Sequence, residues 1–389
     1  MEYTLSRKFL LIIGTFILSF AIIGGAIAPV SGLAQPAEDN TQPIELTTQT
    51  DADGVISARD SSVEFTSSRQ PWTLARMQAA RPYPIPNKVL DPSAVVTPPQ
   101  PAGDPIYIPS VPPKDYSTAT QEINPGTLSS EAVLGFTYPA PYTRYENFDD
   151  YTVFPYSTTG VLFFSQNGSD FRCSAASIGN NTVWTAGHCV HDGSGSPDGW
   201  SENVIFVPAY KNGNMPFGSW SYADVATSTA WFENEDYRFD FGGVWLEENN
   251  SGLAVNEVVG NLGFAFNLNP NQHWFSLGYP SVTPFNGKTM QICAASFARN
   301  DPSYAFPFPM AIGCDMTGGS SGGPWIIDFS GSPGNTNYIN GNNSYRYTGF
   351  GEEIYSPYFG EQAKQLLDFL STGTRIRTNI HIPFVTTND

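Results

Sequence analysis

Charge is what this sequence has least of. Only 14% of its 389 residues are charged, against roughly 25% in ordinary soluble domains. The basic side chains are the scarcer ones, 18 Lys plus Arg against 36 Asp plus Glu, for a formal net charge of −18. A chain that grips nucleic acid phosphates or anionic lipid by displacing counterions needs the opposite balance, so no nucleic acid partner is expected. Cysteine is scarce as well: four residues are too few for a disulfide-built scaffold, and with four histidines there is neither a C-x-x-C pair nor a histidine cluster to hold zinc. No metal or cofactor is therefore expected. Past the first forty residues, no apolar run is long enough to span a bilayer.

What is abundant is aromatic residues at 14%, 36 Gly and 32 Pro, together with Asn, Ser and Thr. That mixture suggests extracellular β structure with long polar loops, in one large or two modest domains. The chain begins with a basic pair, Arg7 and Lys8, then twenty uncharged residues from Phe9 to Ala28, then Pro29 and the stretch Ser31 to Ala34. This reads as a secretory signal over residues 1–34, cut after Ala34, although a run of that length could span a membrane if left uncut. Export makes disulfides available. The mature form is expected to be secreted, extracellular and free of the membrane.

Residues 35–146 are polar, lack helical or strand periodicity and carry dense proline, including Pro84, Pro86, Pro98, Pro99, Pro101, Pro112 and Pro113. Such a stretch cannot bury enough apolar surface to offset its ordering entropy, so extended or disordered chain is expected, as a propeptide or a spacer. Near Tyr151 the texture changes to short apolar runs broken by Gly, Asn and Ser, among them Gly160 to Phe164, Ser177 to Trp184, Phe239 to Leu246, Trp274 to Tyr279 and Pro324 to Ile327. This is the pattern of an all-β sandwich or barrel. Ala363, Leu366, Leu367 and Leu370 recur at helical spacing and predict one C-terminal helix packed on that body.

Two segments carry chemistry: Thr185-Ala186-Gly187-His188-Cys189, and Gly318-Gly319-Ser320-Ser321-Gly322-Gly323-Pro324. Both resemble the histidine and serine motifs of chymotrypsin-like serine proteases. The 16-residue span from Cys173 to Cys189 also matches the histidine-loop disulfide of that superfamily. The resemblance covers roughly residues 150–370 and implies two packed six-stranded antiparallel β-barrels, with a protease domain over 147–389. It implies Ser321 as nucleophile, His188 as general base, and N–H donors to an oxyanion from Gly319 and Ser321. Serine needs a base to take its proton, and the imidazole needs a carboxylate to fix its tautomer. The order His, Asp, Ser calls for an aspartate between residues 188 and 321. Asp240 leads directly into an apolar run, with Asp236 and Asp224 as alternatives; Ser320 is the rival of Ser321. With Cys173 and Cys189 paired by resemblance, Cys293 and Cys314 are expected to pair across the second barrel.

Phe154-Pro155-Tyr156, the Asp-aromatic-Gly form at Asp240, Gly278-Tyr279-Pro280 and the C-terminal helix resemble the secreted bacterial glutamyl-endopeptidase branch. Two departures matter. Ser320 stands where trypsin-like zymogens carry an aspartate that pairs with the new N-terminus, so removal of a masking propeptide is the expected activation. Residues 338–347 lack the histidine that glutamate specificity would use. Asp315, six residues before Ser321, sits at the offset of a basic-specificity carboxylate, with a structural role as the alternative. The loop Asp192 to Asp198 has alternating oxygen side chains, but Asn203 stands where a calcium loop needs a bidentate glutamate, so no calcium is assigned. The expected activity is endopeptidase action on protein or peptide substrates by a monomer. The rival reading is a catalytically silent, protease-like binding module.

Overall fold

A computed structural model describes residues 46–50, 55–60, 71–89, 98–116, 140–146, 150–331, 334–348 and 352–372. The signal reading at 1–34 and much of the proline-rich stretch lie outside the described residues.

The first half of the body is a closed barrel of six antiparallel strands: β1 (Thr159–Gln166), β2 (Ser169–Gly179), β3 (Thr182–Thr185), β4 (Glu202–Pro208), β5 (Trp220–Ser228) and β6 (Gly242–Leu246). Pairing runs β1–β2–β3–β6–β5–β4 and returns to β1. Asparagine makes the tight corners possible: Asn167-Gly168 and Asn180-Asn181 all take positive φ, as two-residue hairpins of right-handed twist require. Strand β1 is apolar on both faces for a structural reason. Leu162 and Phe164 point into the barrel, while Val161 and Phe163 join a second cluster shared with the other half.

That other half contains β7 (Gly263–Phe266), β8 (His273–Gly278), β9 (Gln291–Asn300), β10 (Met310–Gly313), β11 (Pro324–Ile327), β12 (Tyr338–Asn342) and β13 (Glu353–Ser356). Its six antiparallel strands run β13–β10–β9–β8–β11–β12, with β7 added parallel to β12. Trp274, Trp325, Ile312 and Ile354 fill its interior. Leu277, Ile292, Ile326 and Ile339 face the first barrel instead. The C-terminal helix α1 (Glu361–Thr372) lays Ala363, Leu366, Leu367 and Leu370 onto this shared layer. It approaches β6 so closely that a Cβ on Gly243 would lie 2.3 Å from a Leu370 methyl. Among the described residues no helix is long and apolar enough to cross a membrane.

The described parts of the proline-rich stretch run over this body with little core of their own, being held instead by the main chain of distant strands. Val55–Asp60 pairs with β5, Arg81–Pro82 with β2, Ile106–Ile108 with β7, and Asn87–Lys88 with Arg346–Tyr347. Thr143–Glu146 pairs with β9, so the second sheet already begins upstream of residue 147. Composition rules out a core for such chain but does not rule out edge pairing, which needs only extended backbone.

Candidate active site

After β3 the chain makes one tight helical turn, Gly187–Cys189, that turns His188 inward to 2% exposure. Its Nδ1 lies 2.8 Å from Asp240 Oδ2, and its backbone N–H donates to Asp240 Oδ1 at 2.9 Å. Asp240 ends the turn Tyr237–Phe239 just before β6 and is wholly buried. A buried carboxylate needs donors. One further donor to it comes from the second half of the molecule, the Ser344 hydroxyl on Oδ2, while Asn342 Nδ2 donates to the main-chain carbonyl of Asp240 at 3.2 Å. The alternative acids are engaged elsewhere. Asp236 caps the turn and forks onto its neighbour Arg238 at 2.6 Å, and Asp224 accepts from the Val225 N–H.

Ser321 sits in the turn between Cys314 and β11. The turn depends on glycine, since Gly319 and Gly322 take φ of +93° and +78°. A Cβ on Gly322 would fall 2.1 Å from Thr185 Oγ1 and 2.4 Å from the Ser174 carbonyl, so this loop is pressed onto the strand end that leads to His188. The Ser174 N–H donates to the Ser321 carbonyl at 2.7 Å, while the adjacent Cys173 is bonded to Cys189, the residue after His188. Both expected disulfides form, the other joining Cys293 and Cys314. With the Nδ1 proton directed at Asp240, Nε2 is left as an acceptor. Nε2 of His188 and Oγ of Ser321 are both buried and hydrogen-bonded to nothing. Ser320, the rival serine, donates its hydroxyl to the Thr317 carbonyl at 2.9 Å.

Of the expected oxyanion donors, Gly319 N–H is aimed at a carbonyl that the sequence reading did not foresee, Tyr83 O at 3.0 Å. The Tyr83 ring stacks on the His188 imidazole with centroids 5.1 Å apart and planes at 28°. Burial, with Asp192, Asp240 and Glu235 adding their negative charge, pushes the Tyr83 phenol well above its ordinary range. Ser344, Asn342 and Asn343 were also missed as supports of the site. Their signal was the polar run Asn342-Asn343-Ser344 at the end of β12. Asp315 carries an arginine partner from its own chain: Arg144 Nη1 lies 2.6 Å from its Oδ2. The Asp192 carboxylate accepts from Ser194 N–H in its own loop and from Asn167 Nδ2 of the β1–β2 hairpin, each at 3.0 Å. His191 accepts from the Gly193 N–H and contacts the Ser196 carbonyl; burial lowers its pKa, as suits a structural histidine.

No family model matches the chain. Among solved structures, protease Anisep from Arthrobacter nicotinovorans is 34% identical and covers 59% of this chain and 100% of its own, with a TM-score of 0.52. The thermostable serine protease AL20 from an extremophilic microorganism is 37% identical and covers 56% of this chain and 98% of its own, with a TM-score of 0.50. Among curated proteins, an extracellular metalloprotease of Bacillus subtilis (strain 168) is 30% identical over 97 residues, 24% of this chain and 30% of that protein. The chain thus spans less than a third of that relative's length. The relative's name raises the question of a metal. His188 lies with Cys173 and Cys189, but those sulfurs form a disulfide, which leaves no thiolate to act as a ligand. These residues do not fit a metal centre.

Proposed function

The chain belongs to the chymotrypsin-like serine proteases, and from that premise we propose that it is a secreted endopeptidase working through Ser321, His188 and Asp240. The observation that carries this reading is the oriented imidazole: Nδ1 held 2.8 Å from a buried carboxylate, with Nε2 and Ser321 Oγ both left unpartnered. Ser321 Oγ attacks the peptide carbonyl while His188 Nε2 takes its proton, and Asp240 holds the tautomer and stabilises the imidazolium. The N–H groups of Gly319 and Ser321 receive the oxyanion, each such donor being worth about 3 to 4 kcal/mol. His188 then protonates the leaving amine, and water attacks the acyl-enzyme by the same route in reverse.

The reading extends to a precursor. Residues 1–34 serve export, the proline-rich stretch up to residue 146 masks the enzyme, and 147–389 form the protease domain, tied to the preceding chain by Thr143–Glu146. In the precursor Arg144, which belongs to the masking stretch, balances Asp315, and no specificity is assigned to that carboxylate. The test is a fluorophosphonate probe with peptide mapping, beside casein hydrolysis by Ser321→Ala. A single adduct on Ser321 is expected, with hydrolysis lost and the melting temperature nearly unchanged. Equal hydrolysis by the variant overturns Ser321 as the nucleophile, whereas a trimmed chain that neither takes label nor hydrolyses casein overturns the proposal and leaves a silent binding module.

A further inference from the structure

Residues 81–88 read Arg-Pro-Tyr-Pro-Ile-Pro-Asn-Lys, and they pass from one barrel to the other directly over the site. At one end Arg81–Pro82 pairs parallel with Phe171–Arg172, and Tyr83 N–H donates to the Arg172 carbonyl at 2.9 Å. In the middle the Tyr83 carbonyl takes the Gly319 N–H while its ring covers His188, and Ile85 packs on the interior cluster of the second barrel. At the other end Arg346 N–H and Thr348 N–H donate to the carbonyls of Pro86 and Lys88, each at 2.9 Å. The Lys88 ammonium then lies 4.2, 4.4 and 5.2 Å from the ring centres of Tyr237, Tyr304 and Tyr345 and donates to the Tyr304 hydroxyl. Behind that cage the hydroxyls of Tyr345 and its neighbour Tyr347 both donate to the fully buried Asp301, which fixes the Tyr345 ring and adds a negative charge, while the Tyr237 hydroxyl donates to Glu235. A lysine over aromatic faces with a carboxylate behind them is a built cation site.

We propose that residues 81–88 are an inhibitor carried by the chain itself and lodged in its active site, with the tyrosine cage serving as a lysine-binding subsite of that site. The inference rests on the catalytic reading above and goes beyond it by naming the occupant and its anchor. The alternating prolines suit the task. They hold the segment extended before it binds, so little conformational freedom is lost on docking, and none of the contacts made here needs the N–H groups they lack. The carbonyl facing Gly319 is followed by the Tyr83–Pro84 bond, a tertiary amide, and the Tyr83 ring shields the imidazole that would have to act on it. The segment also pairs parallel on both flanks. Once it leaves, the cage is free to accept the lysine of a peptide substrate.

The test uses the full chain, unmodified and with Tyr83→Ala and Lys88→Ala combined, neither residue belonging to the catalytic machinery; a melting curve confirms that the body stays folded. The double variant is expected to take a fluorophosphonate on Ser321 at least about tenfold faster. The synthetic peptide RPYPIPNK, added in trans, is expected to bind the double variant by fluorescence anisotropy and slow its labelling. Replacing the peptide's lysine by norleucine should weaken it about tenfold. Equal labelling rates for the two proteins, or no peptide binding to the double variant, overturns the inference while leaving the catalytic reading intact. Peptide binding to a double variant that never labels overturns the catalytic reading and with it the inhibitory role, while the lysine subsite stands.

Discussion

The two halves of this molecule hold their share of the site by different means. In the first barrel every strand is paired on both sides by main-chain bonds, and the turns bearing His188 and Asp240 adjoin regular strands, one just after β3 and the other just before β6. In the second, β12 and β13 meet less regularly: Ser344 N–H donates to the Tyr355 carbonyl and Tyr355 N–H to the Tyr345 carbonyl, each at 2.9 Å, and the Ser356 hydroxyl adds a bond from the Asn342 N–H at 2.8 Å. Buried polar side chains do much of the work there. Asn343 Oδ1 accepts from Ser276 and from the Trp325 indole at 2.8 and 2.7 Å, and its Nδ2 donates to the Ser320 carbonyl at 3.1 Å. Its main chain bonds Gly322 and Gly323 on either side. Arg299 and Glu353 form a buried ion pair nearby, where burial raises the Glu353 carboxyl against the pull of the arginine. A ladder of main-chain bonds tolerates exchange of the side chains it carries, whereas a polar network depends on each of its members. The nucleophile turn therefore leans more heavily on a buried side chain, Asn343, than any turn of the first barrel does on one of its own.

The largest expected effect breaks the orientation of the base. Asp240→Asn keeps the size of the side chain but presents the imidazole with the wrong partner, so kcat should fall by about 10⁴-fold while the first barrel stays folded. Peptide hydrolysis alongside a circular dichroism melt checks this, and a loss of only a few fold would remove Asp240 from its role. Next comes Asn343→Ala, which strands the donors of Ser276 and Trp325, while the Ser320 carbonyl keeps the Gly323 N–H. At the usual price of buried unsatisfied groups it should cost about 3 kcal/mol or more by denaturant unfolding. A substitution of comparable size in the first barrel at an exposed strand position, Ser221→Ala, should change stability by less than about 0.5 kcal/mol. Comparable losses at both positions would dissolve the contrast between the halves.

The smallest effect concerns how the upstream chain leans on the first barrel. The helix Leu74–Ala79 is pinned by Arg76, whose guanidinium forks onto Asp170 at 2.7 Å from both nitrogens. Its hydrogen bonds hold the Asp170 carboxyl below its ordinary value of 3.8, against partial burial. A carboxylate depressed in the folded state stabilises above its unfolded pKa, and that stabilisation is lost as pH falls through the folded one. The Asp170 side chain is 32% exposed, so solvent screening limits the pair to under about 1 kcal/mol. The melting difference between the unmodified chain and Arg76→Ala should be present near neutrality and vanish in strong acid. A difference independent of pH would point to packing, such as Arg76 over the Trp72 ring, rather than charge.

How much of this is legible from sequence depends on distance along the chain. The surroundings of His188 and Ser321 are written in runs of five to seven residues, because tight turns impose local composition. Asp240 is legible through the apolar strand that follows it. Asn343 and Ser344 are harder: asparagine and serine after a strand are ordinary turn residues, and only contact with Trp325, Ser320 and Asp240 gives them their part. The cleft segment is hardest of all. Its composition shows extended chain, but the groups that hold it, Gly319, Arg346 and Thr348, lie more than two hundred residues away, and edge pairing leaves no periodic mark. The Arg144–Asp315 pair is hidden for the same reason, and with it the charge balance at a position that looks, by offset alone, like a specificity determinant.

Strand β2 carries a mechanical consequence. The loop bearing His188 is fastened to it at Cys173, and the loop bearing Ser321 at Ser174. Neighbouring residues on one rod therefore act as the mounting points for parts supplied by opposite halves of the protein. A rocking of one barrel against the other about that rod has almost no lever arm at the reacting atoms, so the instrument stays aligned even when its housing flexes.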